Sequence, residues 1–286
     1  MNYAIQVDHL KKSYGGHAVL NDLSFSVRKG ECFALLGANG AGKTTTLECM
    51  EGLRKYDGGS ITVNGKIGIQ LQSASLPAHM KAMEAVRLFE KWNRQASGTG
   101  TRRQPMKYGS KVADNVLLLD ALGIGAFANN QYAKLSTGQK RRLHLALALT
   151  GDPDILFLDE PTAGLDVEGR ISLHEQIRRF KEQGKTMLLA SHDMAEVESL
   201  CDRIAILAGG SIAFIGTVEE LNERVGKHYH ILIKTDVGTE HVETDHIGEA
   251  LLSLLSHYKE AGTEILDIQV DRGSLEQHVM KIARGN

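Results

Sequence analysis

The stretch that most limits how this chain can fold is Cys32-Phe-Ala-Leu-Leu36 running directly into Gly37-Ala-Asn-Gly-Ala-Gly-Lys-Thr44. Five apolar residues in a row, bounded by glycine, predict a strand buried on both faces. The glycines that follow let the backbone curl so that its N–H groups point inward, an arrangement suited to phosphate oxygens. A helix beginning near Lys43 adds the positive end of its dipole. Lys43 is then placed to reach the β and γ phosphates, and Thr44 to offer its hydroxyl to Mg²⁺. Strand, glycine-rich loop and helix in that order commit the chain to an α/β fold.

Far downstream, the apolar run Ile155-Leu-Phe-Leu158 ends in Asp159-Glu160-Pro161. Unpartnered carboxylates at the end of a buried strand are costly. A magnesium ion and a polarised water account for both, with Asp159 in the metal shell and Glu160 as the base or water-orienting group. A helix cap or a solvated edge is the alternative for an isolated Asp-Glu, and the phosphate loop upstream weighs against it. Ser191-His192 closes another apolar strand, which puts His192 on the same sheet edge, where an imidazole can hydrogen-bond a γ-phosphate oxygen. Capping a helix that starts at Asp193 is its competing role. The chemistry that fits is ATP hydrolysis, in which the protein holds phosphates, neutralises developing charge and aims a water.

Size and composition bound what such an ATPase is attached to. The chain has 286 residues, 42% of them hydrophobic and 24% charged, enough to bury a large core plus a smaller unit. The formal net charge of -2 argues against nucleic acid as a partner. No stretch of about 18 apolar residues exists, since Leu143 to Leu158 is interrupted by His144, Gly151, Asp152, Pro153 and Asp154. The N-terminus lacks the basic start and apolar core of a signal peptide, so a cytoplasmic location is expected. Cys32, Cys49 and Cys201 show no metal spacing and read as reduced, packed thiols.

Along the chain, short strands are expected at Ala4–Val7 and Leu23–Val27, with Gly58-Gly59 opening a turn into Ser60-Ile-Thr-Val-Asn-Gly65. Helical spacing runs over residues 78 to 94, 112 to 122 and 136 to 149. The polar, basic segment from Gln95 to Gly109 reads as a flexible surface connection. From Asp154 to Leu207 short apolar strands alternate with amphipathic helices, which predicts a parallel sheet. From about residue 220 a small α+β extension is expected, ending in a helix whose start, Ser274-Leu-Glu-Gln277, has the form of a capping box.

Between the two nucleotide motifs lies Leu135-Ser-Thr-Gly-Gln139, in which Ser136 and Gln139 also fit a capping box for the helix that follows. With this third motif in place, the chain over roughly residues 3 to 216 resembles the nucleotide-binding subunit of ATP-binding cassette (ABC) transporters. Leu135 to Gln139 is similar to the family's signature sequence. The resemblance implies a P-loop NTPase parallel-sheet core with an N-terminal antiparallel β subdomain and a helical signature subdomain over about residues 73 to 150, the cassette spanning 1–219 and the extension 220–286. It implies ATP and Mg²⁺ as cofactors, with Gly37, Ala38, Asn39, Gly40, Ala41, Gly42, Lys43, Thr44 and Thr45 around the phosphates and Tyr14 stacked on adenine. Lys43, Glu160 and His192 form the catalytic set, and Thr44, Gln72 and Asp159 the metal set. Gln72 matches the family's Q-loop glutamine, with Gln70 two residues earlier as the other choice. Ser136, Gly138 and Gln139 would meet the γ-phosphate of ATP held by a second copy of the chain, and Ala163-Gly-Leu-Asp166 resembles the loop that crosses this interface. Thr137 departs from the pattern, standing where the family usually carries glycine, which removes some backbone freedom and adds a side chain near the partner's nucleotide.

The same resemblance implies a separate transmembrane permease as partner and a peripheral position on the inner face of the cell membrane through it. The ending, Glu264 to Val279, is similar to the C-terminal extension of ATPases from bacterial drug, antibiotic-peptide and polysaccharide exporters. The expected function is therefore the ATP-hydrolysing subunit of an exporter. A soluble ABC ATPase acting on nucleic acid or ribosomes, and a regulatory module that binds ATP without turnover, are the competing readings. Neither a coiled-coil insertion nor a second cassette is present to favour the former.

Overall fold

A computed structural model describes residues 2–70, 75–96, 111–225 and 229–272. In chain order the first half contains β1 (Tyr3–Tyr14), β2 (His17–Arg28), β3 (Cys32–Leu36), α1 (Lys43–Met50), β4 (Gly58–Val63), β5 (Ile67–Gln70), α2 (Ala82–Ala96), α3 (Lys111–Ala121) and α4 (Thr137–Leu149). The second contains β6 (Ile155–Asp159), α5 (Val167–Glu182), β7 (Thr186–Ser191), α6 (Met194–Leu200), β8 (Arg203–Ala208), β9 (Ser211–Thr217), α7 (Val218–Val225), β10 (Tyr229–Thr235), β11 (Thr239–Thr244), α8 (Ile247–Ala261) and β12 (Ile265–Arg272).

The central sheet has the order β5-β6-β7-β3-β8-β9. Its first five strands are parallel and β9 pairs antiparallel at the edge. Strands β3, β6 and β7 are buried at every position, as continuous apolar runs require. Their side chains divide by alternation. Cys32, Ala34, Leu36, Leu156, Leu158, Met187 and Leu189 pack with the helices α2 to α6 on one face. Phe33, Leu35, Ile155, Phe157, Leu188 and Ala190 pack on the other face with α1 and the antiparallel sheet β2-β1-β4. All the expected functional carboxylates therefore leave the sheet at strand ends, because the strand interiors have no polar face.

Helix α4 is brought against the sheet edge by a glycine. A Cβ on Gly68 of β5 would stand 2.1 Å from the carbonyl oxygen of Ala148, so only a bare backbone lets the helix seat there. Strands β10 to β12 form a separate sheet in the order β11-β10-β12, covered by α8 over a small core of Ile231, Ile233 and Tyr258. Among the described residues no helix is long and apolar enough to cross a membrane.

Several expectations need correction. Gly58 and Gly59 do not open a turn but begin β4, and Gly59 is needed there because it has φ +88 and a Cβ would lie 2.3 Å from the carbonyl of His9. Strands β1 and β2 run 12 residues each, longer than the apolar alternation suggested, because both continue as solvent-exposed ribbon past irregular register steps. Helix α2 carries on through Gln95 and Ala96, where a surface connection was expected to begin. Strand β9 and the polar edge strand β11 went unread, since an edge strand with one wet face carries little apolar signal. Residues 97–109 of the expected connection, Gln72 and the expected helix from Ser274 lie outside the described residues.

Candidate functional site

The loop between β3 and α1 is shaped by close approaches that exclude side chains. A Cβ on Gly37 would lie 2.7 Å from the carbonyl of Leu207, and one on Gly42 would lie 2.6 Å from Leu20 Cδ2. Gly40 and Gly42 have φ of 84° and 103°, the left-handed region that glycine enters without penalty. Gly42 caps α1 with no side-chain hydrogen bond, so the first-turn N–H groups of that helix are left for an anion. Ala38, Asn39, Gly40 and Thr44 are exposed, Ala41 is buried and Thr45 half-buried.

Lys43 is only 6% exposed, and its Nζ donates to the carbonyls of Gly37 at 2.7 Å and Ala38 at 3.2 Å. Burial lowers its pKa, and the nearby carboxylates of Glu160 and Asp159 oppose that shift. Asp159, at the end of β6, is 5% exposed and accepts a hydrogen bond from the Thr44 hydroxyl at 3.2 Å through Oδ2. Its Oδ1 is buried without a hydrogen-bond partner. Burial raises the pKa of this carboxyl, Thr44 opposes the rise, and Glu160 beside it adds to it.

An orphaned carboxylate oxygen beside a threonine hydroxyl suits Mg²⁺, which keeps its waters and takes one or two protein oxygens together with substrate phosphates. No group of three or more His, Cys, Asp or Glu able to hold a metal occurs among the described residues. A bound magnesium ion would supply the positive charge that offsets the charge gathering on the β and γ oxygens. Everything else falls to the side chains.

Glu160 departs from regular backbone, with φ of 45°. Its N–H donates to the Ala190 carbonyl of β7 at 2.9 Å, which turns the chain over the sheet edge. A non-glycine residue held in this region costs roughly 1–3 kcal/mol and is retained where neighbouring structure enforces it. The consequence is an aimed side chain. Glu160 Oε1 lies 2.9 Å from His192 Nδ1, which projects from the end of β7 and is largely exposed. Lys43, Thr44, Asp159, Glu160 and His192 thus stand at the open ends of three adjacent parallel strands, β6, β7 and β3.

Ser136 caps α4. Its Oγ accepts from the Gln139 N–H at 3.2 Å and its own N–H donates to Gln139 Oε1 at 2.9 Å, completing the capping box. Ser136 and Thr137 are exposed, and Gly138 is half-buried. This tip leans on the segment Ala163 to Asp166. The side chain of Leu165 is 3.6 Å from the position a Cβ on Gly138 would take, and Thr137 Cγ2 is 3.7 Å from that of Gly164. Leu165 is buried and Asp166 caps α5 through the Gly169 N–H at 2.8 Å, so both ends of that segment are fixed. The Tyr14 ring is 39% exposed with Lys12 Nζ and Arg54 Cζ at 5.2 and 5.3 Å from its centroid. Gln70 is buried, and neither atom of its amide has a hydrogen-bond partner among the described residues.

Two carboxylates here escaped the sequence. Glu51, at the end of α1, has its pKa pushed up to about 7 by burial, with Asp159 and Glu48 adding to the rise, and its Oε2 has no hydrogen-bond partner. Only its place at a helix end was visible in the chain. Glu196 is buried against the turn that carries His192, and its spacing from Asp193 matches a helix-start pattern, which gives no sign of that burial.

A family model described as ABC transporter matches residues 20–163. The linearmycin resistance ATP-binding protein LnrL of Bacillus subtilis is 36% identical over 78% of this chain and 72% of its own length. The Nod factor export ATP-binding protein I of Rhizobium johnstonii is 40% identical over 72% of this chain and 67% of its own. An uncharacterised ABC transporter ATP-binding protein of Methanocaldococcus jannaschii is 32% identical over 96% of this chain and 98% of its own. Among solved structures, the ATP binding subunit of an ABC transporter aligns with TM-score 0.64 at 28% identity, over 78% of this chain and 93% of its own. An ATP-binding cassette of an ABC transporter in its ADP conformation aligns with TM-score 0.66 at 21% identity, over 79% and 95%, and speaks to the fold alone.

Proposed function

This chain belongs to the ATP-binding subunits of ABC transporters, a family of ATPases coupled to transport, and we propose that it drives a separate permease of the exporter type by closing on ATP as a homodimer. In each site the loop Gly37 to Thr45 of one copy and the helix tip Ser136 to Gln139 of the other hold one nucleotide. Lys43 binds the β and γ phosphates. Thr44, Asp159 and Gln72 hold Mg²⁺, and Tyr14 carries the adenine. Glu160 orients and deprotonates the attacking water while His192 holds the γ-phosphate and Glu160 in register. Residues 1–219 act as the cassette, and the sheet β10 to β12 with α8 acts as an appended unit within 220–286.

The observation that supports this most is the meeting of Thr44 with Asp159 and of Glu160 with His192 on one sheet edge, beside a buried lysine. Export rather than import follows the names of the relatives, a resistance protein and an export protein. The test is Mg²⁺-dependent ATP hydrolysis by the purified chain and by Glu160→Gln. The account expects turnover in the parent and a fall of at least about 10²-fold in the variant. Equal rates in both would refute the assignment of Glu160.

A further inference from the structure

A second carboxylate, Glu196, lines the cleft beside Glu160 and His192 without a hydrogen bond to either. Glu196 lies on α6, whose inward face otherwise consists of Met194, Val197 and Leu200. It is 2% exposed. An apolar residue would complete that packing without the desolvation that a buried carboxylate requires. The hydrogen bond its carboxylate accepts leads to the turn that bears His192. Ser191 Oγ donates to Glu196 Oε2 at 2.6 Å, and the same Oγ accepts from the Asp193 N–H at 3.1 Å. The Glu196 N–H donates to Asp193 Oδ1 at 3.2 Å. His174 of α5 approaches from outside, with Nε2 at 3.8 Å from Glu196 Oε1.

His192 is therefore flanked by Ser191, whose hydroxyl bonds the Glu196 carboxylate, and Asp193, whose N–H donates to that same hydroxyl, while the Asp193 bond to the Glu196 N–H is a helix cap that does not depend on the side chain at 196. Ser191 is itself the last residue of β7, paired with Leu36 immediately before the phosphate loop. Fixing Ser191 on one side and Asp193 on the other leaves the His192 backbone little freedom to rotate. The imidazole is thereby aimed at Glu160 Oε1, 2.9 Å away. A cleft of about 180 Å³ opens beside this pair, with Glu160, Arg170, Ser191, His192, Asp193 and Glu196 among its lining.

We propose that Glu196 is the positioning residue for His192, its carboxylate acting through the Ser191 hydroxyl, which in turn accepts from the Asp193 N–H. The proposal rests on the reading of His192 as a participant in hydrolysis, which His192→Ala tests by itself. The decisive experiment is a mutant cycle on single-turnover ATP hydrolysis, with nucleotide affinity measured in parallel. Glu196→Leu is expected to lower the rate at least about tenfold, the scale set by misplacing a catalytic group, while the ATP dissociation constant stays within about twofold. Glu196→Gln, which retains an acceptor for the Ser191 hydroxyl, should recover most of the rate. In the His192→Ala background Glu196→Leu should cost nothing further, because its effect passes through the missing imidazole.

Independent losses that multiply in the double variant would overturn the proposal, as would a loss of ATP affinity that parallels the loss of rate. If Glu196→Leu does not fold, Ser191→Ala breaks the same link from its other end and must show the same coupling to His192. Full activity in His192→Ala would instead defeat the underlying role of His192, an outcome separate from a failed cycle.

Discussion

The Thr44 hydroxyl donates to Asp159 Oδ2 across 3.2 Å, joining the helix that follows the phosphate loop to the end of the neighbouring strand but one. The second oxygen of the same carboxylate is buried and unpartnered. A divalent ion would satisfy both the hydroxyl and that oxygen. Asp159→Asn keeps the shape and removes the charge. The variant is expected to bind ATP in the absence of Mg²⁺ about as well as the parent, and to lose hydrolysis by about 10²-fold or more with Mg²⁺ present. Titrating activity against Mg²⁺ checks this, and an unchanged Mg²⁺ curve would contradict it.

The contact between Gly68 and Ala148 predicts a stability effect in a residue far from any chemistry. Gly68→Ala places a methyl 2.1 Å from a backbone carbonyl that has no alternative position short of moving α4. The expected loss is about 2 kcal/mol or more, at the upper range of overpacking because the clash is with backbone. Urea unfolding of parent and variant measures it. Because α4 carries Ser136 at its tip, ATPase activity should fall along with stability.

Glu51 gives a pH dependence with a defined sign. Its carboxyl titrates near 4.5 in the ordinary case and at about 7 in the fold, so the folded state binds this proton more tightly than the unfolded chain does. Its contribution to stability is fully present below about 4.5 and is lost as pH rises through about 7. Above that the protein carries an ionised, half-buried carboxylate near Asp159 and Glu48. Glu51→Gln removes the penalty. Thermal unfolding should show the variant more stable than the parent at pH 8, with the difference shrinking toward zero at pH 5.

Ser136→Ala tests the exposed tip. Loss of the capping box should cost about 1 kcal/mol of stability, a modest amount, while ATP-driven association of two copies should weaken much more. Thr137→Gly is expected to leave turnover within a few-fold of the parent, because the threonine is exposed and its methyl would make only an ordinary 3.7 Å contact with a Cβ on Gly164. Comparing unfolding and association in the two variants separates capping from contact with the nucleotide.

The core was readable because burial on both faces leaves one pattern in sequence. Cys32 to Leu36, Ile155 to Leu158 and Thr186 to Ala190 are uninterrupted, and all three are adjacent strands of the central sheet. The capping box at Ser136 was equally visible, since both partners lie within four residues. What escaped was decided by tertiary contact. Gly59 sits in a strand rather than a turn because of the His9 carbonyl facing it, and neither residue announces the other. Strand β11 is held by pairing with β10 rather than by apolar content. Glu51 and Glu196 are ordinary surface residues by type, and only the partial burial of the one and the full burial of the other make them consequential.

The central claim is that two copies of this chain close on ATP, the Lys43 loop of one against the Ser136 tip of the other. Light scattering of Glu160→Gln with and without Mg²⁺ and ATP tests it most directly. A dimer is expected that appears with ATP, persists because hydrolysis is blocked, and is lost when Ser136→Ala is added. A Glu160→Gln protein that binds ATP and remains monomeric at every concentration would contradict it.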